Sequence, residues 1–133
     1  MSAIEARDII FGVVKTYCDG KSLVVEWPDQ PFEKPDSAAY AKASMRHATG
    51  RQAALTPVGQ KLWESAGVAS VTFYCPIASG LVNGYTLAQD MISALRTSNA
   101  AVWFRNVRIR ELGSEGGYNL TQVLWDFEYR DQE

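Results

Sequence analysis

The sequence predicts an α+β domain, two helices packed on a mixed or antiparallel sheet, in the order α-β-β-β-β-α-β-β. Three observations lead there. Two stretches place apolar residues at three- and four-residue steps, the mark of a helix with one buried face. Several others alternate apolar and polar residues, the two-residue period of a strand. Glycine and proline clusters separate them, as turns require.

Ser2 and Glu5 form a capping box, and behind it Ala6, Ile9, Ile10, Val13, Val14 and Tyr17 define a helix over 3–18. Asp19-Gly20 is expected to end it, because glycine accepts the left-handed backbone of a helix stop. Leu23, Val24, Val25 and Trp27 read as a short strand. Residues 28–36 hold three prolines, which remove three backbone donors and favour extended or turn geometry. This is a loop, with Phe32 exposed or docked on a neighbour. Residues 38–48 are rich in alanine, which favours helix, yet Ala41, Ala43, Met45 and His47 alternate with Lys42, Ser44 and Arg46, which favours strand. We read a strand. Short strands follow at 52–56 and 59–65, broken by Pro57 and Gly59. Over 68–75, Ala69, Val71, Phe73 and Cys75 share one face. A flexible turn over 78–84 leads into a second helix at 84–97, where Leu87, Met91 and Leu95 stack. Strands at 102–110 and 118–129 close the chain, joined through Gly113, Gly116 and Gly117.

With 133 residues, 47% of them hydrophobic, the chain is expected to form one domain over 1–133 with a core that needs no metal or disulfide. The net charge of -2 argues against wrapping nucleic acid, and no sequence-specific nucleic-acid partner is expected. No run of 18 apolar residues is present, so no membrane span is expected. Glu5, Arg7 and Asp8 interrupt any signal-peptide pattern, so the chain is expected to stay in the cytoplasm. There Cys18 and Cys75, far apart and without metal-type spacing, read as small apolar residues.

Little in the sequence suggests chemistry. His47, the single histidine, could act as a general base. It has no nucleophile nearby in sequence, and edge-strand packing is the alternative. Cys75 could be a nucleophile, but it falls on an apolar face. Asp126 and Glu128 lie two apart on one strand and so point the same way. Such carboxylates do acid–base work, hold a cation, or pair with arginines across the sheet. Arg105, Arg108 and Arg110 on the preceding strand favour pairing. Arg108 and Arg110, with Lys42, Arg46 and Arg51, could instead form a phosphate patch, against which the acidic total weighs. The turn 113–117 is glycine-rich but lacks GxGxxG or Walker spacing and carries Glu115. The expectation is a protein that is not an enzyme, with no cofactor and no metal.

The last strands are apolar on both sides. Val102 and Phe104 lie opposite Trp103, and Leu120 and Leu124 lie opposite Val123 and Trp125. A sheet covered once would show a polar second face. Either the two helices cover everything or a partner subunit does, and exposed apolar surface of this kind marks protein–protein contact.

The order of elements and several local stretches then resemble a known family. They are the opening helix Ile4–Tyr17, the strand ending in Trp27-Pro28, Gly59-Gln-Lys-Leu-Trp-Glu-Ser-Ala-Gly67 running into Val68-Ala-Ser-Val-Thr-Phe-Tyr-Cys-Pro76, the helix Gly84–Thr97, and the ending Gly117-Tyr-Asn-Leu-Thr-Gln-Val-Leu-Trp-Asp-Phe-Glu-Tyr129. Together they look like the tail terminator (minor tail protein U-like) proteins of long-tailed phages and prophages, over about 3–130. The resemblance implies a structural protein that caps the tail tube as a homo-oligomer, a hexameric ring, and joins it to the head. Its partners would be the tail tube protein and a head-completion protein, and it would act in the bacterial host cytoplasm during assembly and then in the virion tail. Pro31, Phe32, Leu81, Val82, Arg105, Arg108 and Arg110 are the expected contact residues. Two alternatives stand: a head–tail connector or neck protein of similar size, and a small ligand-binding domain or enzyme using His47, Asp126 and Glu128.

Overall fold

A computed structural model describes residues 2–28, 30–33, 38–55, 61–77, 81–97 and 102–132, with side chains except at 49–55, 61–63, 81–82 and 131–132. The elements are α1 (Ala3–Gly20), β1 (Val24–Glu26), β2 (Tyr40–Leu55), β3 (Lys61–Pro76), α2 (Leu81–Arg96), β4 (Trp103–Glu115) and β5 (Tyr118–Gln132). The five strands form one mixed sheet in the order β1-β2-β3-β5-β4, with β1 parallel to β2 and every other pair antiparallel. The expected α+β class, with two helices on one sheet, is what the chain forms.

α1 begins at the expected cap. The Ser2 hydroxyl accepts from the Glu5 N–H at 3.1 Å, satisfying one of the free donors of the first turn. Its end differs from expectation. Gly20 stays helical, and the left-handed residue is Ser22 (φ 56). The Leu23 N–H then reaches back to the Cys18 carbonyl at 2.9 Å, a Schellman-type closure. That closure turns Leu23 inward against the core, which outweighs the strain at a serine.

Three strands precede α2, where the expected order has four and the separate stretches number five. The stretches 38–48 and 52–56 fuse into β2, and 59–65 and 68–75 fuse into β3. Residues 56–60, with Pro57 and Gly59, lie outside the described residues. Fusion is possible because β3 is paired along its length, to β2 on one side and β5 on the other. Ladder hydrogen bonds on both sides override the local weakness of Gly67. Irregularity is absorbed instead as register shifts in β2, at His47/Thr49 and Gln52/Ala54.

α2 starts at Leu81, so Leu81 and Val82 belong to its first turn and not to a flexible loop. Gly84 is a packing residue: a Cβ there would lie 2.6 Å from Thr121 Oγ1. β4 and β5 run beyond their expected ends, to Glu115 and Gln132. Gly113 (φ 83) lies at a β4 irregularity, while Gly116 and Gly117 make the turn.

Both helices pack on one face of the sheet. Ile10, Val14 and Cys18 of α1, with Ala88, Met91 and Leu95 of α2, bury the row that strand alternation turns towards them: Ala41, Ala43, Val71, Phe73, Val123, Trp125 and Phe127. The Tyr17 hydroxyl donates to the Leu87 carbonyl at 2.7 Å and fastens α1 to α2. Both cysteines are buried free thiols. Burial, followed by the charge of Asp19, pushes the Cys18 thiol up to about 12, the condition of an inert core cysteine. Among the described residues no helix covers the second face, so the two helices do not cover everything.

Candidate functional site

The open face is built by the even-numbered residues of β3 and β5 and their cross-strand neighbours. At one end Tyr40 and Tyr74 stack with centroids 4.5 Å apart, and Tyr118 meets Tyr40 edge-on at 5.4 Å. Phe32 closes this cluster at 5.4 Å from Tyr40, so this side chain docks on its own sheet. Burial, then the charges of Tyr74, Tyr118, Glu26 and Glu115, push the Tyr40 phenol up to about 12.

The middle of the face is small and half-apolar. Val68 and Leu124 are half-buried beside Ser70, and Thr72 is buried between its neighbours. Around this centre runs a set of cross-strand ion pairs: Lys42–Glu26 at 3.8 Å, Arg105–Glu128 at 3.6 Å, Arg108–Asp126 at 3.3 Å and Arg130–Glu64 at 3.2 Å. Arg130 also lies over Trp103, 5.1 Å from the ring centroid. Exposed pairs of this kind contribute about 0–1 kcal/mol each, so they order the surface more than they hold the fold. Arg46 and Arg110 face no carboxylate among the described residues.

The alternative catalytic set does not come together. His47 sits on the helix-covered side, where its Nε2 and the Tyr129 hydroxyl share a hydrogen bond of 2.6 Å and its ring meets Phe127 edge-on. Asp126 and Glu128 lie on the open side, each already held by an arginine. They help line a groove of about 430 Å³ together with Ala66, Gly67 and Val68. A second groove of about 490 Å³ runs between α1 and α2, lined by Asp8, Ile9, Gly12, Val13, Tyr17 and Ala94 among others. Among the described residues no group of three or more His, Cys, Asp or Glu side chains could hold a metal ion. Among the same residues no helix is long and apolar enough to cross a membrane.

The expected contact residues are divided. Arg105, Arg108 and Arg110 share the open side of β4. Pro31 is exposed and Phe32 half-buried at the tyrosine end. Leu81 and Val82 begin α2, with side chains outside the described residues. Sequence reading missed the tyrosine cluster, although Tyr40 and Tyr74 each stand on the polar phase of their strands. It also missed Asn106 (φ 52), whose one signal is an Asn within a strand.

No protein-family model matches the chain, and no curated protein matches it. Among solved structures, one protein without a functional name superposes over 92% of this chain and 94% of its own, at 13% identity and a TM-score of 0.55. At that identity the likeness shows the fold alone.

Proposed function

We propose that this chain is a structural subunit of the phage tail terminator kind, which assembles into a ring that caps a tail tube and offers a surface for joining the head. One observation carries the reading. A five-stranded sheet has both helices on one side, leaving a broad, half-apolar, ion-paired face for another protein. Val68 and Leu124 at the centre of that face are the apolar groups a partner would bury. His47 lies on the other side of the sheet, and Asp126 and Glu128 are each engaged by an arginine, so these three do not form a catalytic set. The sequence resemblance supplies the identity of the assembly, and the fold is compatible with it.

Light scattering on the purified chain, alone and with added tail tube protein, tests the reading. A ring-sized species under either condition supports it. A monomer at high concentration under both conditions contradicts it.

A further inference from the structure

We propose that successive subunits join face to back: the outer surface of α1 of one copy lies diagonally across the open sheet face of the next. The inference rests on the ring reading and names the joint within it.

The sheet's edges are poor joints. β1 covers only Tyr40–Lys42 of β2, and β4 is the other edge, so both sides present unpaired backbone. Yet β2 carries register shifts at His47/Thr49 and Gln52/Ala54, and β4 carries them at Arg105/Arg108 and Glu111/Gly113. Irregularities of this sort are how edge strands resist pairing with another chain. The broad face is the surface left to use.

Its charges and those of α1 are complementary. Arg46 and Arg110 stand on opposite strands of the face without carboxylate partners among the described residues. The outer side of α1 carries exposed Glu5, Asp8 and Asp19 against one lysine, Lys15, which already pairs with Asp19. Glu5 and Asp8 meet no cation among the described residues.

The spacings also agree. Arg110 aligns through Gln122 and Thr72 with Lys42, four residues from Arg46. Three strand spacings across and four residues along give a diagonal of roughly 19 Å. Glu5 and Asp19, the second shared with Lys15 in an exposed pair, are separated along the helix by about 21 Å, and fourteen residues return nearly to the same side. Gly12 lies midway between them, while the midpoint of the sheet diagonal falls at Leu124 and Ser70. Gly12 is exposed, is not left-handed, and a Cβ there would meet nothing within 4 Å. Nothing inside the subunit calls for a glycine that weakens the helix. A hole at Gly12 that receives Leu124 of the next copy accounts for it. Such a contact uses two different surfaces, so it repeats head to tail, the kind of joint from which a ring is built when the rotation per subunit closes.

Cross-linking tests the joint. Full-length Gly12→Cys and Leu124→Cys chains are mixed and oxidised, with light scattering in parallel. The native cysteines are buried and supply the background. The expected result is a mixed disulfide that Arg110→Glu in the Leu124→Cys copy reduces about tenfold, and that Glu5→Lys in the Gly12→Cys copy restores. An oligomer without the mixed disulfide, a Gly12→Cys pair forming with itself instead, or a yield indifferent to Arg110→Glu overturns the joint and leaves the ring. A monomer without any disulfide, both alone and with added tail tube protein, overturns both.

Discussion

Asn106 donates its side-chain amide to the Asp126 carboxylate across the β4–β5 pair at 2.9 Å, and the same carboxylate receives Arg108 at 3.3 Å. Arg108 also donates to the Asn106 carbonyl at 2.8 Å. These three bonds hold an extra residue in the edge strand while Asn106 adopts φ 52. Asparagine tolerates this conformation and a β-branched residue does not. Asn106→Val should therefore cost about 1–3 kcal/mol in urea unfolding. Asn106→Gly, which keeps the backbone and loses only the exposed hydrogen bond, should cost about 1 kcal/mol or less. Equal losses would mean that the side-chain bond, and not the backbone shape, is what matters.

Gly67 and Gly12 should respond oppositely to alanine. A methyl on Gly67 would overlap the Arg46 carbonyl and come within 2.6 Å of the Phe127 ring. Two strands must part to admit it, so Gly67→Ala should cost about 3 kcal/mol. Gly12→Ala meets open space and should stabilise the isolated subunit by about 0.5–1 kcal/mol. Denaturant midpoints at a concentration where the chain is monomeric check both.

Much of this arrangement is legible in the sequence, for a physical reason. The helix and strand periods, and the odd-numbered apolar row from Ala69 to Cys75, depend on which side of one element meets the core, which a local pattern records. The fusion of 38–48 with 52–56 depends on partners distant in sequence, as does the placing of both helices on one side. Local turn residues such as Gly67 then mislead, because the glycine answers to Arg46 and Phe127 and not to a turn. The candidate surface was half-visible. Arg108 and Arg110 share a side as their spacing suggests, while Arg105, three residues from Arg108, joins them only through the extra residue at Asn106.

Tyr17 joins the helices through one bond, from its hydroxyl to the Leu87 carbonyl. Tyr17→Phe would remove a second donor from a carbonyl that α2 itself engages, at a cost of about 0.5–1.5 kcal/mol. Faster hydrogen exchange in α1 and α2 than in β3 and β5 should accompany it. A uniform change would indicate that the bond does not couple the helices.

Alkaline pH should weaken the tyrosine cluster. The Tyr40 phenol is raised from 10.0 to about 12 on folding, first by burial and then by nearby negative groups. The folded state holds its proton where the unfolded chain has lost it, so this contribution is complete below pH 10 and disappears as pH rises through 12. Stability measured by urea unfolding should fall across that window, and Tyr40→Phe should flatten the fall. An unchanged slope in that variant would assign the loss to other groups.

Ring assembly is tested most directly by the mass of the species in solution, measured by light scattering with and without tail tube protein. The account expects a discrete species of hexamer size, diminished when Gly12 is replaced by leucine although the subunit remains folded. A strict monomer under both conditions would contradict it.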